Sequence, residues 1–594
     1  MRLFTWRFAR QESVHDYAGV LVPLEEAHLH SHSARSGKTE FEEPPDAAGT
    51  QDYNPIGVEE GSREPEDKDD EDEGTGMLQM SAAEYTIDGL RREVRRGGER
   101  GQQWSSYELK SKLINKAIQD IGMGRYNWQL FILCGFGWFA DNLWMQGVSL
   151  ILPSLSQEFD ISEKTVRYTT SSLFAGLCVG SFFWGMGADI VGRRIAFNAT
   201  LLITSIFGIW VAYASSWSAV CFLLACMGTG VGGNLPVDGA VFLEFLPEAS
   251  SSLLTLLSVW WPVGQLCSSF LAWYYITHYP VETGWRYFII SIGVITVAMF
   301  ILRFFFFHLF ESPKFLLSQG RQAEAVAVVH GIAYRNGKKT WLTEEILDAV
   351  VDGHQRRAHE AVLQLSAFSV VKKNLTSMSL SHIKPLFANR ILARTTILIW
   401  FCWASIGMGY PLFNAFLPQY LSHGISDGAS AVAEEGTSTS PEAYRNYFIM
   451  SAVGVPGSLL AAYSVDQPSP YLGRKGTLAI STLVSAIFLF LFVTFGTTSG
   501  LQLFFTCVEA FCQNIMYGVL YAFTPEIFPA PVRGAGTGVA SFLNRATGLI
   551  APILAANVPG DGTTMPIYLS AILILSAFVG MVLIPIETRG RQRL

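Results

Sequence analysis

From residue 128 onward the chain alternates apolar runs with short polar breaks. Each run extends for about 20 residues, the length a helix needs to cross the hydrocarbon core of a bilayer. Twelve such spans are predicted, the first six starting near Trp128, Arg167, Ala196, Ala219, Leu253 and Tyr287. The last six start near Ile391, Tyr447, Thr477, Leu501, Gly536 and Pro566. A polar segment over residues 311–390, with helical spacing from Arg321 to Tyr334, separates the two sets. The even count puts both ends of the chain on one side.

Ahead of the first span, Leu109, Leu113, Ala117, Ile118 and Ile121 recur at helical spacing. Residues 105–127 are therefore expected to form an amphipathic helix lying on the inner leaflet. Residues 1–104 are rich in Glu, Asp, Gly, Ser and Pro and lack a sustained apolar period, so a disordered acidic tail is expected. The first residues carry no apolar core of a signal peptide, which leaves the tail in the cytosol. Charge agrees with that orientation. Arg193, Arg194, Lys314, Arg321, Lys338, Lys339, Arg474, Lys475, Arg533 and Arg589 fall on the tail's side, against Lys164, Arg167, Arg286 and Arg445 opposite. Both termini and the 311–390 linker are expected in the cytoplasm, the C-terminus being residues 587–594.

Composition sharpens the class. Half the residues are hydrophobic, 15% are charged, and the mean hydropathy is +0.28. Such a chain cannot bury its apolar surface in one water-soluble core and belongs in a membrane. The net charge of −8 comes largely from one run in the tail, Glu64 to Glu73, where eight carboxylates face Lys68 alone. It says little about any substrate. All eight cysteines fall in apolar spans, which argues for packing rather than disulfides or zinc. His28, His30 and His32 alternate in the tail; a solvated segment explains them better than a metal site. Gly228-Thr229-Gly230-Val231-Gly232-Gly233 fits a dinucleotide-binding pattern, but no strand precedes it. Close helix packing through Gly228 and Gly232, and through Gly176 and Gly180, is the better reading. No ATP-binding or hydrolytic motif is present, so neither an enzyme, a cofactor, a metal nor a nucleic-acid partner is expected.

The two halves repeat. Gly185-Met186-Gly187-Ala188-Asp189-Ile190-Val191-Gly192-Arg193-Arg194 separates the second and third spans, and Asp466 with Gly473-Arg474-Lys475 is its later copy. Glu244-Phe245-Leu246-Pro247 is echoed by Glu526-Ile527-Phe528-Pro529. The offsets, 281 from Arg193 to Arg474 and 282 from Glu244 to Glu526, agree. This is an internal duplication. The G-x-x-x-D-x-x-G-R-R loop resembles that of the major facilitator superfamily. Glu311-Ser312-Pro313-Lys314, Pro525 to Pro529 with Arg533-Gly534, and Pro585 to Gly590 look like segments of its sugar-porter branch. Gly230-Val231-Gly232-Gly233-Asn234-Leu235-Pro236-Val237-Asp238 is similar to the fourth span of its synaptic-vesicle-type and organic-ion-transporter members. The resemblance implies an all-α membrane protein with twelve transmembrane helices in two pseudo-symmetric six-helix bundles, 128–310 and 391–586. Departures from the sugar-porter pattern, Leu224 and Ser251 at places usually held by arginine and no Gln-Gln pair in the seventh span, weaken a hexose reading.

Candidate chemistry follows from the cost of polar groups in lipid. An ionised side chain at mid-bilayer costs about 2.5–3.5 kcal/mol by insertion scales. Asp141, Asp238, Glu509 and Arg545 carry that cost inside predicted spans. Asp141 either binds substrate or a proton, or pairs structurally with Arg545. Asp238, four residues after Asn234 on one helix face, is either a proton carrier or a hydrogen-bond node. Glu509, Gln513 and Tyr517 share a face that is either a site or packing with one polar tether. Gln265, Asn414 and the indoles Trp260 and Trp261 suit a neutral, multi-hydroxyl solute, while Arg545 beside Asn544 suits a carboxylate. A tail-side gate is expected from Gly185, Asp189, Gly192, Arg193, Arg194 and Glu244 in one half and Asp466, Gly473, Arg474, Glu526 and Arg533 in the other. The expected function is secondary transport of a small organic solute (sugar, polyol or organic ion) by alternating access, proton-coupled, by a monomer in the plasma membrane. A non-transporting nutrient sensor and an uncoupled facilitator are the rival readings.

Overall fold

The structure, a computed structural model, describes residues 12–27, 85–95, 106–247, 252–350, 384–387, 389–414, 417, 441–465, 467, 473–528, 533–557 and 564–586. Twelve long helices dominate. In the first half they are α3 (Arg125–Glu158), α4 (Tyr168–Val191), α5 (Arg193–Val211), α6 (Trp217–Phe245), α7 (Trp260–His278) and α8 (Val281–Ile301). In the second half they are α12 (Arg390–Asn414), α13 (Pro441–Ser464), α14 (Arg474–Phe495), α15 (Ser499–Ile527), α16 (Arg533–Asn557) and α17 (Thr564–Leu583). Each begins within a few residues of its sequence-based start. Ten of the helical segments are long and apolar enough to cross a membrane by length and composition. Asp141, Asn142 and Gln146 are buried on α3, and those residues reappear in the site below.

The helices form two bundles. In the first, α6 packs on α3, α4 and α5, while α8 packs on α5 and α7; in the second, α12 packs on α16 and α17, and α15 on α13 and α14. Two seams join the bundles, α4 against α16 and α7 against α13. Advancing six helices converts one seam into the other, which is the two-fold relation the repeat predicts. Glycines set the closest approach. A Cβ on Gly176 or Gly180 would run into the carbonyls of Ala225 or Thr229 on α6, and one on Gly228 or Gly232 into those of Leu173 or Leu177 on α4. Helix packing, not nucleotide binding, accounts for that glycine-rich stretch.

Shorter helices cap the tail side of the first bundle: α1 (Ile87–Arg95), α2 (Ser106–Ile121), α9 (Pro313–Ser318), α10 (Gln322–Arg335) and α11 (Glu344–Val350). They share one apolar core with the tail-side ends of α3, α5 and α6. Here two expectations are corrected. The apolar face of α2 (Leu109, Leu113, Ala117, Ile118, Ile121) is buried against α1, α9, α10 and α11 rather than laid on lipid. A protein surface was available to cover it, so no bilayer is required. The tail before residue 104 is also not uniformly structureless. Val20 and Val22 are buried, and backbone hydrogen bonds of 3.0 Å link Val22 N–H to Thr340 O and Thr340 N–H to Val20 O. Glu12 pairs with His308 at 2.6 Å, and Leu90 and Tyr85 are buried. Asp120 ties three segments together, accepting from Lys116 (2.8 Å), Tyr85 (3.1 Å) and Trp341 (2.8 Å). A few apolar residues scattered in a polar tail carry too little periodicity to be seen, yet suffice to dock it.

Candidate functional site

A cavity of about 1010 Å³, its mouth included, lies between the bundles. From the first bundle it is lined by Asp141, Asn142, Met145, Gln146 and Ser149 of α3, by Thr170, Leu173, Phe174 and Leu177 of α4, by Leu235 of α6, and by Trp261 and Gln265 of α7. The second contributes Gly407, Tyr410, Pro411 and Asn414 of α12, Gln513, Asn514, Tyr517 and Tyr521 of α15, and Asn544 and Arg545 of α16. On α3 the spacing 141, 142, 145, 146, 149 is one helical stripe, which is why a single helix delivers a carboxylate and two amides to the same wall. Gly264 lets α7 press against Phe139 O, and Gly407 lets α12 approach Asn544. Those contacts bring Gln265 Nε2 to Asn142 Oδ1 at 3.1 Å and Asn544 Nδ2 to Trp403 O at 3.2 Å.

The cavity has distinct ends. On the side away from the tail, hydrogen bonds join the bundles: Tyr444 donates to Leu150 O (3.2 Å), Arg167 to Ala555 O (2.8 Å) and Asn557 to the Tyr168 hydroxyl (3.1 Å). On the tail side, one helical turn below Asn142, Gln265 and Gln513, an aromatic layer crosses the interface. Trp261 stands 5.2 Å from Tyr517 and 5.0 Å from Tyr521, and Trp138 lies 5.4 Å from Tyr521, between ring centres.

Five of the eight sequence-derived binding residues line this cavity: Asp141, Gln265, Asn414, Asn544 and Arg545. Asp141 is 3% exposed and its Oδ1 has no hydrogen-bond partner. Arg545 bridges the bundles instead of clamping Asp141. Its Nη1 donates to Leu177 O (3.1 Å) on α4, to Gly232 O (2.7 Å) on α6, and to Ser181 Oγ. No described residue accepts from its Nε or Nη2, so that edge of the guanidinium is free for a ligand. Asn414 Nδ2 donates to Gln513 Oε1 at 2.8 Å.

Three residues fall elsewhere. Asp238 is locked to Arg303 at 2.8 Å with both side chains 0% exposed, inside the first bundle. Arg303 also donates to Phe197 O (2.7 Å) and Leu133 O, and lies 3.6 Å from the Phe197 ring centre. Gly137 leaves the room that Asp238 occupies. Of the two readings, proton carrier or hydrogen-bond node, this pairing favours the node: Asp238 Oδ2 holds Arg303 away from the cavity, while Oδ1 has no partner among the described residues. Asn234 faces the same interior and does not line the cavity. Glu509 is 1% exposed, beside the cavity rather than in it, and neither of its carboxylate oxygens has a partner.

Sequence reasoning missed Arg303, Asn142, Gln146, Asn514 and Tyr521. Arg303 had a signal, one cation within Ile301-Leu302-Arg303-Phe304-Phe305, and so did Asn142 and Gln146, an amide pair four apart in a span.

The expected gate residues, Asp466 aside, sit at the tail-side ends of the long helices. Gly192, at φ +106°, reverses the chain between α4 and α5, and Gly473, at φ +99°, precedes α14; both need glycine's freedom. Arg193 pairs with Glu244 in the first half and Arg474 with Glu526 in the second, each pair lying within its own bundle. Glu311 caps α5, its Oε1 accepting from Arg193 N–H (3.0 Å) and Arg194 N–H (3.4 Å). Burial pushes the Glu311 carboxyl above its usual range, opposed by those N–H donors. Gly185 faces open space; Asp189 and Arg533 sit on α4 and α16 with side chains outside the described set, and Asp466 lies outside the described residues.

Relatives give this geometry a setting. The solved xylose symporter XylE bound to 6-bromo-6-deoxy-D-glucose superposes with a TM-score of 0.57 at 17% identity, covering 79% of this chain and 98% of that one. A partially occluded inward-open form of XylE from E. coli gives 0.56 at 15%, covering 78% and 100%. The likeness is one of fold. In sequence, the MFS siderochrome iron transporter 1 of Ceriporiopsis subvermispora is 41% identical over 540 residues, 88% of this chain and all of that protein. The Synaptic vesicle 2-related protein of Bos taurus is 27% identical, covering 81% of this chain and 82% of its own. The Major Facilitator Superfamily profile matches residues 130–472. With its duplicated six-helix bundles around a central cavity, the chain belongs to the Major Facilitator Superfamily, as a multi-pass membrane transporter of small solutes.

Proposed function

We propose that the solute is an organic anion, moved together with a proton by alternating access, with the tail side facing the cytosol at the plasma membrane. One observation carries the reading: the cavity holds a guanidinium with a free edge, Arg545, and a carboxyl oxygen without a partner, Asp141. A carboxylate docks on Arg545 through charge-assisted, two-point hydrogen bonds. Asp141 takes the proton, since a buried carboxyl lacking a cation of its own favours the neutral acid. Asn142, Gln146, Gln265 and Gln513 then meet hydroxyls or ring nitrogens on the uncharged part of the solute, and Tyr410 and Tyr517 pack on its flat face. Binding matters on both bundles. Because Arg545 is anchored to carbonyls of α4 and α6, a ligand that recruits the guanidinium loosens the α4–α16 seam, and rocking exchanges the open side.

Uptake into proteoliposomes tests this, using radiolabelled monocarboxylates, sugars, polyols and organic cations with the outside acidified. A carboxylate accumulates, Asp141→Asn abolishes accumulation but keeps solute exchange, and Arg545→Ala abolishes both. Transport of a neutral sugar unaffected by Arg545→Ala overturns the anion reading. Uptake indifferent to the pH gradient leaves a facilitator, and no uptake of any class leaves a sensor.

A further inference from the structure

Along α15, Glu509, Gln513 and Tyr517 succeed one another at four-residue steps and share one face. Gln513 and Tyr517 line the cavity, and Glu509 sits one turn farther from the tail side. One turn along the same face toward the cavity, Gln513 accepts a 2.8 Å bond from Asn414. In the other direction the helix runs to the far side, where Tyr444 donates to Leu150 O across the bundles. Both carboxyl oxygens of Glu509 are buried, and none of the described residues hydrogen-bonds to either. The titratable groups near enough to feel its charge are Tyr410 of α12, whose hydroxyl is 3.1 Å from Ser485 Oγ on α14, and Cys512 and Tyr517 of its own helix. No charged group of α13, α14 or α16 is paired with it among the described residues.

The contrast with Asp238 is direct, for that carboxylate has Arg303 and this one has no partner among the described residues. An ionised carboxylate so placed carries an uncompensated burial cost of several kcal/mol, whereas the neutral acid does not. A purely structural acid would find an acceptor for its proton, and this one finds none among the described residues.

We propose that Glu509 is a second proton-binding site, distinct from Asp141 and exchanging with water on the far side. With the far rim closed it holds its proton as the neutral acid. Opening that rim wets the outer halves of α12 and α15, and the O–H bond breaks, releasing the proton to water and leaving the carboxylate. Closure reverses the step. The inference rests on the proton-coupled reading above but is separable from it, because Glu509 belongs to the other bundle.

The test needs no solute, since the probe is the proton. Infrared spectra of the reconstituted full-length protein are titrated with pH and exchanged into deuterium oxide. Wild type shows protonated-carboxyl bands that titrate; Glu509→Gln deletes one and releases one fewer proton per chain to an indicator dye. Glu509→Asp keeps the band at a shifted frequency, which guards against a folding artefact. Joining Leu150→Cys to Tyr444→Cys with a short bis-methanethiosulfonate slows deuterium exchange of the Glu509 band, and reduction restores it. A spectrum unchanged in Glu509→Gln overturns the proposal, as does a band that neither titrates nor exchanges. Failure of the Asp141 reading shows separately, as a spectrum unchanged in Asp141→Asn.

Discussion

The two bundles repeat each other at the tail-side rim and differ inside. Arg193–Glu244 and Arg474–Glu526 are corresponding pairs at offsets of 281 and 282 residues, each tying two helices of its own half. The interior charges have no such echo. The position 281 residues after Asp238 is Val519, and 281 after Arg303 is Ile584. Conversely, 281 before Glu509 stands Gly228, a residue spent on helix packing. Outside the residues that line the cavity, the first half therefore buries a matched pair and the second an unmatched acid. The repeated parts hold each bundle together as a body that can rock, while the unrepeated parts are where chemistry has room to differ.

The largest expected effect comes from breaking the matched pair. Asp238→Ala leaves Arg303 buried and uncompensated, a loss of about 3–5 kcal/mol. Arg303→Met leaves Asp238 in the same position with a similar loss. Combining Asp238→Asn with Arg303→Met recovers most of it, because neither charge then remains. Glu509→Gln, in contrast, shifts stability by under about 1 kcal/mol, since it replaces one partnerless polar group by another. Thermal unfolding of the purified protein in detergent measures all four. Equal losses for Asp238→Ala and Glu509→Gln would remove the distinction between the halves.

Next in size are the rim pairs. They are only partly exposed, with side-chain exposures of 21% and 9% in the first half and 11% and 7% in the second. Removing either arginine to Ala costs about 1 kcal/mol, somewhat more in the second half because less water screens it. The reversed pair Arg193→Glu with Glu244→Arg restores stability if charge is what matters. A several-fold difference between Arg193→Ala and Arg474→Ala would show that the duplication no longer means equal roles.

How much of this was legible in the sequence follows from the range of each interaction. Spans, their number and the repeat come from periodicity and composition, which are local, and every long helix begins close to where its apolar run predicts. Asp141 and Arg545 were visible because a charge in an apolar run announces itself. What their partners are was not. Whether Asp238 faces a cavity or Arg303 depends on how α6 and α8 rotate about their axes, and that is set by packing at Gly137 and Phe197. The docking of Val20 and Val22 onto Thr340 joins residues more than 300 positions apart, with two apolar side chains as the only local trace.

The smallest effect probes a third asymmetry. The tail-side cap is built wholly on the first half, and its core contains His330. The ring lies buried on α10, with Nε2 at 2.7 Å from Leu342 O and Nδ1 without a partner. Nε2 carries the hydrogen and donates to that carbonyl. Burial lowers the His330 pKa below its ordinary 6.5, the Leu342 contact opposing this only in part. The folded ring therefore stays neutral where the unfolded one takes up a proton. Stability from this group is fully present above pH 6.5 and is lost as pH falls from there toward the folded-state value. Hydrogen exchange of residues 322–350, corrected for intrinsic rate, should accelerate between about pH 7.5 and about pH 5.5. The second bundle, whose described core contains no histidine, should not change in step. His330→Gln, which keeps a donor toward Leu342 but cannot charge, flattens the pH dependence; if the cap loosens equally in that variant, another group is responsible.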